Sequence, residues 1–149
     1  MKSIYFILII FLNTNVFSEE KNDNYFYIDS DKLIIKENPL ISEFIGNAYA
    51  RNVENHFWGN KILVNYDNDK KIKLITIIRN VKIVRLNEEI FGDKAIYDPK
   101  LEKIKISGNV SIIQDGNILS GSELIVDLIN STSIIEGNND KQVSVKVAK

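Results

Sequence analysis

"ISGNVSIIQDGNILSGSELIVDL", residues 106–128, sets a glycine in the middle of each of two runs that otherwise alternate as β-strands do, on either side of Asp115-Gly116. A glycine gives a sheet face no side chain, so within a strand pattern it marks a bulge, a bend or a close backbone approach. The device recurs along the chain. Aligned on Gly121, "LSGSELIVD" falls beneath "IFGDKAIYD" at Gly92, "FWGNKILVN" at Gly59 and "IDSDKLIIK", where Ser30 takes the glycine place. The intervals are 29, 33 and 29 residues, in the range of repeat architectures. A second marker keeps step: Asn47 in "IGNA", Asn80 in "IRNV", Asn109 in "SGNV" and Asn138 in "EGNN". Each unit is therefore two strands, one with the Gly-Asn marker and one with a glycine before a polar residue and an apolar run.

Alternation assigns the faces. Ile104, Ile106, Val110 and Ile112 point one way, and Lys103, Lys105, Ser107, Asn109 and Ser111 the other. After the turn, Ile118, Leu124, Val126 and Leu128 continue the apolar face. The repeat register adds Ile75, Ile77, Val81, Ile83, Ala95 and Tyr97, and then Phe44, Trp58, Ile62, Val64 and Tyr66. A three-residue loop, 114–116, pairs Ile106 with Leu124 and Ile104 with Val126 and sets Asn109 opposite Gly121. The three-residue loop is the preferred register; a two-residue loop, the alternative, instead brings Leu119 and Ile125 to the apolar face. Asn38-Pro39, Asp67-Asn68, Asn87-Glu88 and Asp98-Pro99 are turn dipeptides at other strand ends. A row of glycines lets every strand bend at one level, and the sheet then doubles over onto one continuous apolar lining. The expected fold class is all-β: repeated antiparallel strands in an open-ended, folded-over β-jellyroll.

The chain ends and composition narrow the function. Met1-Lys2 and the short apolar stretch behind it read as a signal peptide over residues 1–18, with cleavage at Ser18-Glu19 and one domain over 19–149. An uncleaved N-terminal anchor is the competing reading. Net charge is −1, so no basic field argues for nucleic acid, and the absence of cysteine leaves stability to packing and sheet hydrogen bonds. Enzyme chemistry finds little support. His56 is the sole histidine and stands at a strand start, where a hydrogen-bonded structural role fits better than catalysis. "DND" at 67–69 and "NND" at 138–140 lack the spacing of a calcium loop. No glycine motif precedes a helix to cradle phosphate, so no cofactor and no metal are expected. A parallel β-helix lyase would need acids and bases converging on one face, and the inner face is aliphatic.

The order of a "GNV" strand, a hairpin, a "GxxLxVDL" strand and then "EGN" resembles the LptA/OstA family of periplasmic lipopolysaccharide-transport proteins. The resemblance is strongest from Phe91 to Gly137, and "GDKAIYD" is similar to the same element one repeat earlier. Arg79 stands where that family tends to have glycine. The resemblance implies a periplasmic β-jellyroll bridge that binds lipopolysaccharide and carries it from an inner-membrane transporter with an LptC-like partner toward an LptD-like outer-membrane protein. A membrane-anchored LptC-like component and a lipid-free structural β-solenoid are the rival functions.

An aliphatic inner face fits a closed core and a lipid groove equally. For a groove, about 0.8 kcal/mol per buried CH₂ holds an acyl chain without a charged anchor. The candidate lipid-binding lining is therefore Phe44, Trp58, Ile62, Val64, Ile75, Ile77, Val81, Ile83, Ile104, Ile106, Val110, Ile112, Leu124 and Val126. "KQVSVKV", residues 141–147, turns Val143, Val145 and Val147 to one side with no proline, and "NYFYI", 24–28, carries Tyr25 and Tyr27 at the other end. These two stretches are the candidate partner edges, suited to strand addition and head-to-tail self-association.

Overall fold

The computed structural model describes residues 25–149, so the leader assignment lies outside the described residues. Among the described residues ten strands form one antiparallel sheet: β1 (Tyr27–Asp29), β2 (Lys32–Glu37), β3 (Leu40–Arg51), β4 (Asn55–Tyr66), β5 (Ile72–Arg85), β6 (Glu88–Asp98), β7 (Lys103–Gln114), β8 (Asn117–Asp127), β9 (Thr132–Glu136) and β10 (Ser144–Lys146). From β3 to β8 each strand pairs with the next in sequence, which short turns allow only for antiparallel neighbours. Strands β1 and β2 both pair with β3, and β9 and β10 both pair with β8, so each edge is one strand broken in the middle.

Each pairing from β3 to β8 slips register at a shared level, Ile45/Ala48, Trp58/Lys61, Ile78/Val81, Phe91/Lys94 and Ser107/Val110, and β4–β5 slips once more at Asn65/Tyr66. At the shared level the extra residue always belongs to β3, β5 or β7. There the backbone turns left-handed at two successive positions, Gly46-Asn47, Arg79-Asn80 and Gly108-Asn109. Left-handed φ costs an ordinary residue roughly 1–2 kcal/mol, and asparagine tolerates it best after glycine. The asparagine side chains offset that cost by clamping the neighbouring strand. Asn47 donates to Asp31 at 2.9 Å, Asn80 to Asn60 at 3.0 Å and Asn109 to Asp93 at 2.9 Å. Arg79, the departure noted in the sequence, adopts φ 63° and keeps the bend.

The second set of glycines does something different. Gly59, Gly92 and Gly121 lie on β4, β6 and β8 at the bend, and none has positive φ. A Cβ on Gly59 would run into Ile77 Cγ2, one on Gly92 into Ile106 Cγ2, and one on Gly121 would come within 2.7 Å of Ile135 Cγ1. Each therefore seats an isoleucine of the following strand in the crease. The paired devices fold the sheet into two leaves, and the core lies between them. Phe57 of β4 in one leaf meets Tyr97 of β6 in the other, 6.0 Å between ring centroids, with Phe26 5.5 Å from Tyr97.

The bulge also decides which side chains face in. On β5 and β7 the extra residue preserves parity, so Ile75, Ile77, Val81 and Ile83, and Ile104, Ile106, Val110 and Ile112, are all buried. On β4, β6 and β8 parity flips at the glycine: Phe57 gives way to Ile62 and Val64, and Ile90 to Ala95 and Tyr97. Two expectations are corrected by this flip. Ile118 pairs with Ile113 on the outer face, and Leu119, opposite Ile112, packs against the core. Gly121 stands opposite Val110 and not Asn109. The preferred three-residue loop is also corrected: Gln114 pairs with Asn117, so the hairpin is a two-residue turn with positive φ at both Asp115 and Gly116 (50° and 78°), the type I′ signature. The bulge beyond it then restores the expected Ile106–Leu124 and Ile104–Val126 pairs.

The fourth Gly-Asn marker does not repeat the bend. Asn138 instead caps a turn, its Oδ1 accepting from the backbone N–H groups of Asp140 and Lys141. Continuing the one-residue slip would set Lys141 opposite Leu119 on the inner face. Looping out residues 137–143 sets Val145 there.

Two predictions follow from this packing. Gly92→Ala drives a methyl into buried Ile106 and should lower the free energy of urea unfolding by about 1–3 kcal/mol. Lys36 and Lys61, at 2.6 and 2.9 Å, join β2 and β4 to Glu43 of β3 and hold its carboxyl below the usual range, hydrogen bonding to Lys36 being the first cause. A folded-state value below the unfolded one stabilises above the ordinary glutamate value of about 4.3 and is lost as pH falls through the depressed value. Amide exchange of β2, corrected for intrinsic rate, should therefore quicken on acidification, and Glu43→Gln should abolish that pH dependence.

Candidate functional site: the apolar lining and its open edges

Of the expected lining, Ile62, Val64, Ile75, Ile77, Val81, Ile83, Ile104, Ile106, Val110, Ile112, Leu124 and Val126 are brought together as one buried cluster, with Phe44 packed against it. Trp58 does not join them. It follows Phe57 and precedes the flip at Gly59, so the parity of Ile62 and Val64 does not extend back to it, and its ring lies on the outer face. There it stacks on Tyr49 at 4.9 Å and on His56 at 5.9 Å, with Lys82 Nζ 5.8 Å from its centroid. The inward aromatic is Phe57, fully buried between Ala50 and Ile83 in register. His56 shares a 2.6 Å hydrogen bond between Nδ1 and the Tyr49 hydroxyl, which makes it a member of this outer stack.

The leaves are in contact along most of the crease, but the inner face runs past them at both edges. Directly opposite residues share a face. Leu33 opposite Phe44 and Ile35 opposite Ser42 are inner-face residues, yet they are 49% and 60% exposed. At the other edge Val145, opposite inner-facing Leu119, is 58% exposed. The apolar stripe is thus continuous from one open edge to the other and uncovered at both. Tyr25, Tyr27, Val143, Val145 and Val147 are all exposed at these edges. Among the described residues, strands β1 and β10 end the sheet, each paired on one side of its backbone.

Opposite the crease, the free margins of the leaves approach along a seam of turns, and a polar cavity of about 360 Å³ opens there. It is lined by Asn52, Glu54, Asn55, Arg85, Leu86, Tyr97, Glu102, Leu128 and Ser131. The turn of β5 and β6 is Leu86-Asn87, one residue earlier than the expected Asn87-Glu88, and this sets Arg85 opposite Glu88. Both continue the inner face of Ile83 and Ile90. Arg85 Nε and Glu88 Oε1 are in ion-pair contact, but the N–H is misdirected and both atoms lack a hydrogen bond. Asn52 Oδ1 accepts from the backbone N–H groups of Glu54 and Asn55 and so fixes the β3–β4 turn. Burial first, then Glu102 and Asp98, raises the Tyr97 phenol and keeps it protonated. Tyr97 and Leu128 were placed on the apolar face in the sequence, but the polar seam residues Asn52, Glu54, Asn55, Arg85, Glu102 and Ser131 were missed. The available signal was parity: Arg85 lies two residues past Ile83, and Asn55 two before Phe57.

A family model, the LptA/(LptD N-terminal domain) LPS transport protein, matches residues 27–132. The chain belongs to this family of transport proteins, a class that uses the folded-over sheet seen here. Among solved structures it is similar to LptH, described as the LptA-homologous periplasmic component of the lipopolysaccharide transport device of Pseudomonas aeruginosa. The two share 11% identity with a TM-score of 0.75, over 85% of this chain and 99% of that one. No curated protein sequence matches.

The exchange of Trp58 for Phe57 as the inward aromatic is measurable. Phe57→Ala should cost about 3–5 kcal/mol in unfolding free energy, and Trp58→Phe well under half as much. Acrylamide should quench Trp58 emission readily in the folded protein.

Proposed function

We propose that this chain is an exported, periplasmic lipopolysaccharide-binding bridge, directed by a cleaved leader over residues 1–18, that conducts the lipid between an LptC-like inner-membrane partner and an LptD-like outer-membrane partner. The observation that carries this reading is the inner apolar stripe that runs uncovered into both sheet edges through Leu33 and Ile35 at one end and Val145 at the other. A closed core would end in polar side chains at its margins. Membership in a lipopolysaccharide-transport family supports the choice of cargo.

An acyl chain entering at an edge slides between leaves held by apolar contacts, aliphatic along most of the lining and aromatic at Phe57 and Tyr97. It exchanges side chain against side chain for side chain against methylene, gaining about 0.8 kcal/mol for each CH₂ withdrawn from water. No charge has to move. Addition of a second copy, its β1–β2 edge on the first copy's β9–β10 edge, extends the sheet by backbone pairing and joins the two linings. Such a heterologous contact does not close, so it yields a path of variable length.

Two experiments bear on the proposal. Photo-crosslinking residues at Ile77, Ile106 and Leu124 should capture lipopolysaccharide in cells, and those at Lys105 and Ser111 should not. Equal labelling of both faces removes the conduit. Val145→Pro takes one donor from the edge and should weaken self-association in sedimentation with little change in β-sheet circular dichroism.

A further inference from the structure

The seam cavity has a chemistry distinct from the lining, and its charges are unbalanced. Arg85 is offset by Glu88, while Glu54 and Glu102 also reach the cavity wall and, among the described residues, no second cation lines it. The surplus of carboxylate disfavours a phosphate or a fatty acid head. What remains is a set of planar polar groups that suits hydroxyls. The two carboxylates accept, the Arg85 guanidinium and the Asn52 amide donate, and Leu86, Leu128 and the Tyr97 ring supply apolar surface for the C–H face of a ring. At about 360 Å³ the cavity stands at the small end of small-molecule sites, whose usual range is about 300–1,000 Å³.

We propose that the seam cavity is a subsite for a neutral sugar ring, gripped by Glu54, Glu102 and Arg85 at the boundary between solvent and the apolar lining. This rests on the lipid-bridge reading and adds to it the part of a glycolipid that remains in water. Tyr97 lines the cavity on one side and packs on Phe26 and Phe57 on the other. A saccharide held there stands directly above acyl chains lying in the core, so the site would set how far each lipid projects as it passes. The occupant belongs to one of two sources, a glycolipid headgroup or a free oligosaccharide, and they differ in whether the lining is filled at the same time.

Titration of the isotope-labelled exported chain with N,N′-diacetylchitobiose, followed by amide NMR, tests this. The expected result is saturable movement of the Asn52, Asn55 and Leu86 signals, weakened at least tenfold by the combined Glu54→Ala and Glu102→Ala changes, while the signals of β7 stay in place and report an intact fold. Inorganic phosphate and calcium chloride form the comparison arms, and a larger response of the same amides to either one overturns the proposal, as does the absence of a response to the disaccharide. Dodecanoate, which has no sugar, is added separately and should move Ile77 and Ile106. If it fails to do so while the disaccharide binds, the lipid reading falls, the sugar site stands, and its source is a free oligosaccharide.

Discussion

The fold depends on one backbone constraint: a pair of left-handed residues placed at the same level in alternate strands. A regular antiparallel sheet of eleven- to fourteen-residue strands would twist but stay open. The extra residue at Gly46-Asn47, Arg79-Asn80 and Gly108-Asn109 bends it instead, and the asparagine clamps carry that bend from strand to strand. The bend needs clearance on its inner side, which glycine supplies on the intervening strands by admitting Ile77, Ile106 and Ile135. Without both parts the aliphatic face of every strand would lie in water.

That division of labour explains what could be seen in the sequence and what could not. The all-β class, the bend and its period were legible because Gly-Asn and the lone strand glycine repeat as visible letters. The faces of β5 and β7 were legible because the bulge leaves their parity intact. On β4 and β8 the same alternation led to Trp58 and Ile118, because the extra residue that shifts their parity sits on the neighbouring strand, and Gly59 and Gly121 show where the strand bends but not that its faces exchange there. Asn138 failed as a marker for a related reason. Its letters match, but the segment after it offers Lys141 where the inner face requires an apolar residue, and the chain loops out until Val145 arrives. The seam was illegible because Asn52, Arg85, Glu102 and Ser131 are far apart in sequence and meet only once the leaves close.

The proposed function rests on the same geometry. Folding one sheet over gives two leaves joined at a crease and free at the seam, with edges that cannot close on themselves. Closed barrels remove their edges, and sandwiches of two separate sheets commonly blunt them. Here the edges stay short and broken, at β1–β2 and β9–β10, yet carry inner-face apolar residues into solvent. An arrangement of that kind is costly for a solitary structural module and useful for one whose lining must continue into a neighbour. The outer face shows the opposite economy, with ion pairs such as Lys82–Glu89 and Lys105–Glu123 across strands and the Tyr49–His56–Trp58 stack covering the bend.

The claim on which the account rests is that acyl chains occupy the space between the leaves. Native mass spectrometry of the protein released gently from the periplasm of a Gram-negative host measures this directly. A bound acylated glycolipid is expected as an added mass, lost when Ile77 and Ile106 are both replaced by asparagine in a chain that remains folded. A wild-type chain that carries no lipid, and takes none up when incubated with purified lipopolysaccharide, would contradict it.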